Sequence, residues 1–210
     1  LPLLQQIRPT FLFGVPRVWE KIMDGMKAKG ANNSFLKTKI INAAKWVALN
    51  RNRALANSAG VYEWPATTFG LHGVFNKLVY SKVKEVLGLD RCALFGSGAA
   101  PISKNVLSYF WSLDIPVVEG FGMSETTGIS TMNIFPQQVR LGTVGFGICD
   151  SMIKISEDQE ILLKGRHIMM GYLNNEEKTR ETFDEHGYLK TGEIGSIRPS
   201  PDGKVDLLTI

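Results

Sequence analysis

Residues Ile115-Pro116-Val117-Val118-Glu119, followed without a spacer by Gly120-Phe121-Gly122-Met123-Ser124-Glu125-Thr126-Thr127-Gly128, decide the fold. The first five read as a short β-rich strand and the next nine as the loop that leaves it. Glycines at 120, 122 and 128 permit positive φ and close backbone approach. Backbone N–H groups and the hydroxyls of Ser124, Thr126 and Thr127 can donate to phosphate oxygens. The carboxylate of Glu125 is a hard oxygen ligand of the kind that holds Mg2+. Phe121 offers a flat apolar face on which a base can stack. Taken alone, the nine residues suit an ordinary Gly/Ser/Thr surface loop equally well.

Upstream, Cys92-Ala93-Leu94-Phe95 reads as a strand and Gly96-Ser97-Gly98-Ala99-Ala100-Pro101 as a small-residue loop. Ser103 then caps a helix whose apolar stripe is Val106, Leu107, Phe110 and Trp111. Together with the strand at Ile115 this is a βαβ unit, whose strands are expected to be parallel and whose crossover is expected to be right-handed. Both glycine-rich loops leave the C-terminal ends of their strands, where open α/β sheets bind ligands. By itself G-S-G-A-A-P is neither a Walker loop nor a complete dinucleotide fingerprint.

The composition of the 210 residues, 44% hydrophobic and 21% charged, is that of an ordinary globular chain. Two cysteines (Cys92, Cys149) and three scattered histidines (His72, His167, His186) lack metal-ligand spacing. That argues against a structural zinc site or a disulfide framework and for a reducing compartment. A net charge of +4 and a pI near 9.0 suit a polyphosphate ligand or an anionic membrane surface, and equally suit solvated lysines on helix faces. No apolar run approaches the ~18 residues needed to cross a bilayer. The opening Leu1-Pro2-Leu3-Leu4-Gln5-Gln6 is not a signal peptide and lacks an initiator Met, so the chain reads as an internal fragment.

G-F-G-M-S-E-T resembles the G-Y-G-x-[ST]-E-T signature of the adenylate-forming superfamily, which includes acyl-CoA synthetases, luciferases and peptide-synthetase adenylation domains. The stretch Leu163 to Gly195 is similar to that family's G-x-x-x-x-x-G-Y-x-x-x-x-x-x-T motif and the T-G-D motif after it, the latter written here Thr191-Gly192-Glu193. Within the superfamily, Arg8 to Met23, Phe95 to Pro101 and Gly165 to Thr179 resemble long-chain acyl-CoA synthetases of the bubblegum type.

The resemblance implies ATP-dependent activation of a long-chain fatty acid through acyl-AMP to acyl-CoA, with ATP, Mg2+ and coenzyme A as cofactors or co-substrates. Ser124 and Glu125 are the implied catalytic pair, Ser124 orienting the α-phosphate and Glu125 binding the metal. The implied nucleotide-binding set is Gly98, Ala99 and Ala100, the run Gly120, Phe121, Gly122, Met123 and Ser124, and Glu193. In that set Phe121 stacks on adenine and Glu193 holds the ribose hydroxyls, on a stem one methylene longer than the family's Asp. Implied partners are the fatty acid, ATP and CoA, with no nucleic acid. The implied location is the cytoplasm or the surface of a membrane such as the endoplasmic reticulum, with peripheral association. The family's phosphate loop and lysine-bearing C-terminal domain have no match here. They are expected before Leu1 and after Ile210, and the 210 residues alone are expected to make no acyl-CoA. Two rivals stay open: another adenylate-forming enzyme, such as an aryl-CoA ligase or an adenylation domain, and a non-catalytic nucleotide-binding or interaction module.

Element by element, Pro9 to Val15 reads as a buried strand, and Pro16 to Gly30 as a helix with Val18, Trp19, Ile22, Met23 and Met26 in its stripe. Ser34 to Ala56 reads as a helix with Leu36, Ile40, Ala44 and Val47 on one face and Lys37, Lys45, Arg51 and Arg53 on the other. Asn57 to Gly73 reads as an irregular connection whose Tyr62, Trp64 and Phe69 suit core packing or an acyl tunnel. Val74 to Leu87 reads as a helix closed by Gly88. After Gly128, four short strands are expected, at 129–134, 142–148, 152–155 and 160–163, the last two joined by the turn at 156–159. The expected fold is therefore α/β: a mostly parallel sheet flanked by helices over 1–128, the adenosine-binding part, then a β-rich subdomain over 129–210.

Overall fold

The computed structural model describes residues 2–57, 66–136, 139–148, 150–200 and 203–210, and the side chains of all of these except 57 and 66–69. The chain divides into two compact units, 1–118 with 135–137, and 119–134 with 138–210. Strand β3 (Val117–Met123) passes from the first into the second.

In the first unit, α1 (Pro2–Ile7) and β1 (Phe11–Gly14) precede α2 (Pro16–Gly30), whose ends are those the punctuation of the sequence marks. Proline at the first helical position has no N–H to leave unpaired, and Trp19 and Ile22 point into the core. The Trp19 indole donates to the Gly96 carbonyl (3.1 Å) and meets Phe110 edge-on at 5.0 Å. Strands β1 and β2 (Leu94–Ser97) are parallel, with Phe13 opposite Gly96. A Cβ at Gly96 would stand 2.7 Å from the Phe13 ring, so this glycine makes room for the side chain opposite it on β1. β1 was expected to be buried; instead Phe11 is 48% exposed, because the strand lies at the edge of the sheet.

Helix α3 (Phe35–Asn57) buries Ala44, Val47 and Ala48 around its middle, whereas Leu36 and Ile40, expected on the same buried face, are exposed. Its partner is one continuous helical stretch: α4 (Ala66–Phe75), a π-helical turn at Asn76–Tyr80, and α5 (Ser81–Leu87). The Tyr80 hydroxyl donates to the Ala44 carbonyl (2.6 Å), and Phe75, Val79 and Val83 pack around the two alanines. α4 corrects the irregular connection expected up to Gly73: helical hydrogen bonding carries through Gly70 and Gly73 despite their low propensity. Tyr62, Trp64 and the side chain of Phe69 lie outside the described residues. Gly88 closes α5 in the left-handed region (φ 72°).

Helix α6 (Lys104–Trp111) is capped by Ser103, whose hydroxyl accepts from the Val106 N–H. It buries Val106, Leu107, Phe110 and Trp111, as its stripe requires. Just beyond it, Asp114 (φ 60°) faces Lys84 (3.0 Å), His72 (3.2 Å) and Arg51 (3.8 Å). Burial by itself would raise this carboxyl, but the His72 hydrogen bond and the Lys84 ammonium outweigh it and hold the group at about 2. A carboxylate depressed in the folded state stabilises above its unfolded value, 3.8, and loses that contribution as pH falls toward 2. The contribution is about 2 kcal/mol. Asp114→Asn, which tolerates the same φ, is therefore expected to be less stable than wild type in urea at neutral pH, with the gap narrowing as pH falls below about 4. A gap that does not change with pH contradicts the ion cluster.

The second unit contains β4 (Gly128–Met132), β5 (Phe146–Gly147), β6 (Met152–Ile155), β7 (Glu160–Lys164), α7 (Glu176–Thr182), β8 (Leu189–Ile194), β9 (Ser196–Pro199) and β10 (Asp206–Thr209). Strands β6-β7-β8 form an antiparallel sheet and β9-β10 a hairpin, so the β-rich character expected after Gly128 is what the fold has. Its core is Ile161, Leu163 and Leu208, with Phe121, Val144, Ile153, Ile155 and Ile168 against it. α7 was not foreseen. The five-stranded sheet runs β1-β2-β3-β4-β5 and is mixed: β1 and β2 are parallel, and β3-β4 and β4-β5 are antiparallel.

Candidate functional site

The stretch Gly120 to Gly128 is not all loop. β3 continues to Met123 and turns back as β4, with Phe121 opposite Thr131 and Met123 opposite Gly128. The reason is long-range: β4 supplies hydrogen-bond partners that no local glycine count reveals. A register shift between Phe121 and Gly122 brings Gly122 so close to β4 that a Cβ there would lie 1.8 Å from the Gly128 carbonyl oxygen. Only the single turn Ser124–Thr126, followed by Thr127 at φ 56°, projects from the hairpin. Thr126 is buried and locks this turn. Its hydroxyl accepts from the Met123 N–H (3.0 Å) and donates to the Gly128 carbonyl (2.7 Å). Ser124 is exposed, and Phe121 is half-buried against the Ile161/Leu163/Leu208 core.

Glu125 is held at both its backbone and its side chain by residues 167–172. The Tyr172 hydroxyl donates to Glu125 Oε1 (2.8 Å), and the Met169 N–H donates to the Glu125 carbonyl (2.8 Å). Next to them the Thr127 hydroxyl donates to the His167 carbonyl (2.7 Å). The hydrogen bond to the carboxylate raises the Tyr172 phenol above its ordinary value, so it remains a donor. Among the described residues no group of three acidic, His or Cys side chains could hold a metal by itself. One fixed carboxylate on a turn of hydroxyls fits Mg2+ of the kind that arrives with phosphate ligands and keeps its waters, not a resident all-protein site.

Gly98, Ala99 and Ala100 follow β2 in the first unit, with Ala99 in the left-handed region (φ 66°), a conformation that costs a non-glycine residue energy. Glu193 lies near the end of β8 in the second unit with its carboxylate exposed. This part of the strand, where the β7-β8 register shifts, is tied down: the Gly192 N–H donates to Glu160 Oε1 (2.8 Å), and the Thr191 hydroxyl donates to the Ile161 carbonyl (2.8 Å). The sites expected from sequence are thus divided between the units. Gly120 to Glu125 and Glu193 belong to one, and Gly98 to Ala100 to the other.

Residues 1–173 match the family model described as AMP-binding enzyme. The chain belongs to this family. Its relatives include a long-chain-fatty-acid–CoA ligase (ACSBG2) of Xenopus laevis, 44% identical over 197 residues, and the like-named protein of Gallus gallus, 45% identical over 197 residues. The matches cover 91% of this chain and 26% and 25% of those relatives, so the chain spans about a quarter of their length. In fold, it is similar to apo MatB from Rhodopseudomonas palustris, at a TM-score of 0.52 and 22% identity, covering 69% of this chain and 29% of that one.

In this member of the family, sequence reasoning missed the 167–172 brace. The signal was present: Gly171-Tyr172 and Thr179 carry the G-Y-x-x-x-x-x-x-T spacing, but nothing local names Glu125, 47 residues away, as their partner. An open groove of about 580 Å³ lies beside them, lined by Met170, Tyr172, Leu173, Thr179 and Arg180 among others.

Proposed function

We propose that this chain is the adenosine- and metal-binding part of an ATP-dependent long-chain fatty acid–CoA ligase that works through an acyl-AMP intermediate. The observation that supports the reading best is Glu125, a hard ligand fixed on a hydroxyl-bearing turn, in a chain 44% identical to a protein named for that activity. Residues 1–128 supply the α/β adenosine-binding part and 129–210 the β-rich part.

The fatty acid carboxylate attacks the α-phosphorus of ATP and pyrophosphate leaves. The sulfur of CoA then attacks the acyl carbon, and AMP leaves with the bridging oxygen. The chain's work in the first step is positioning and charge neutralisation. Ser124 orients the α-phosphate from its exposed place on the turn, and Glu125 holds the metal. Bound with the nucleotide, Mg2+ neutralises charge on the phosphate oxygens. Gly98, Ala99, Ala100 and the run Gly120 to Met123 bind adenine, with Phe121 as the stacking face, and Glu193 accepts from the ribose hydroxyls. Because its stem is longer, the positive-φ Gly192 (φ 75°) within β8 is where the backbone adjusts to keep that contact. We place the protein in the cytoplasm or on a membrane surface, where fatty acids partition; none of its described helices is long and apolar enough to cross a membrane.

Acid selectivity separates this reading from the other adenylate-forming activities. AMP release by the full-length protein is expected to be at least about tenfold faster with palmitate or oleate than with octanoate or benzoate, since each buried methylene adds discrimination. Preference for benzoate would move the chain to the aryl ligases. No AMP release with any carboxylate would favour a binding module.

A further inference from the structure

From the geometry we infer that Tyr172 is a positioning residue for Glu125, and that Thr179 on α7 sets Tyr172 in place. This rests on the proposed metal role of Glu125 and goes beyond it by assigning work to the G-Y-x-x-x-x-x-x-T spacing. Thr179 stands against Gly171, where a Cβ would come within 2.6 Å of its methyl group, so the glycine lets the helix approach. The Thr179 hydroxyl accepts from the Tyr172 N–H (2.9 Å) and donates to the Asn175 carbonyl (2.8 Å). Both functions of one hydroxyl are used, and the backbone of Tyr172 is fixed to the first turn of α7. From that point the phenol reaches Glu125 Oε1 at 2.8 Å.

The other end of the segment is anchored independently. The Ser151 hydroxyl donates to the Ile148 carbonyl (2.6 Å) and lies 3.0 Å from His167 Nε2. The Ser130 hydroxyl lies 3.2 Å from the same nitrogen, and the two contacts pin the His167 ring. Met169 lies between the two anchors and holds the Glu125 carbonyl. Glu125 is thus oriented before any metal arrives, which removes the rotamer entropy a free glutamate would lose on binding. Partners that orient a ligand in this way change metal affinity by about 10–100-fold when removed.

The test is Mn2+ binding, read by electron paramagnetic resonance, to the full-length protein in the presence of α,β-methylene-ATP and the absence of fatty acid. Tyr172→Phe keeps the ring and is expected to weaken Mn2+ binding about tenfold. Metal-free AMP binding and the melting temperature should stay at wild-type values. Thr179→Val is expected to reproduce the loss and Thr179→Ser to restore it, a rescue that a loss of packing would not give. Wild-type Mn2+ affinity in Tyr172→Phe, alongside its loss in Glu125→Gln, overturns the positioning role and leaves the metal role standing. Wild-type affinity in Glu125→Gln overturns the metal role, and the positioning role with it.

Discussion

Glu125→Gln in the full-length protein is expected to lower fatty-acid-dependent pyrophosphate release by about a hundredfold or more, the usual cost of losing one preorganised electrostatic contact to a transition state. The substitution is close to isosteric. It keeps the backbone bond from Met169 and an oxygen that can accept from Tyr172, so the turn should remain intact. What it removes is the charge. Charge is what a hard cation selects, and among the described residues no group of three acidic, His or Cys side chains could hold the ion instead. Raising Mg2+ should recover part of the rate if the defect is in metal binding. Pyrophosphate release within twofold of wild type would remove Glu125 from the mechanism.

Gly122→Ala is expected to be among the most disruptive single-methyl changes in the second unit. Its Cβ would lie 1.8 Å from the Gly128 carbonyl oxygen and 2.6 Å from the carbonyl carbon, and backbone cannot swing aside as a side-chain tip can. The β3-β4 pairing must open at the register shift, which would release the Ser124–Thr126 turn. Overpacking of this kind costs roughly 3 kcal/mol. The loss should appear both as a lower melting temperature and as loss of ATP-dependent activity. Gly73→Ala makes the contrast: nothing lies within 4 Å of its Cβ and its helical backbone suits alanine, so the gain is expected to be about 0.5–1 kcal/mol. Equal melting of Gly122→Ala and wild type would show that the hairpin can relax without cost.

The parts of the fold that could be read in advance are those with local causes. Pro16 starts α2, Ser103 caps α6 and Gly88 ends α5, each through a requirement of the helix terminus met by one residue. The errors have non-local causes. Gly70 and Gly73 look like breakers, yet α4 runs through them as the head of a helical stretch that packs against α3 through Phe75, Val79 and Tyr80. The G-F-G-M run looks like loop because glycine is poor in strands, but β4 pairs with it. α7 has no apolar stripe; its signals were Asn175 as N-cap, accepting from the Lys178 N–H, and the acidic first turn of Glu176 and Glu177.

The candidate site shows the same division. Glu125 and Ser124 were legible because chemistry restricts which residue types can hold a metal or face a phosphate. Tyr172, Met169 and His167 were not, since a hydrogen bond to Glu125 or Thr127 leaves no periodic trace in either segment.

The most direct measurement follows oxygen. With palmitate labelled by 18O in its carboxylate, the full-length protein, ATP, Mg2+ and CoA should give AMP carrying one 18O atom in its phosphate, with pyrophosphate unlabelled. The attacking carboxylate oxygen becomes the anhydride bridge, and it stays on phosphorus when the thiol takes the acyl group. Unlabelled AMP, or ADP with the label in inorganic phosphate, would contradict an acyl-adenylate and with it the function proposed for this chain.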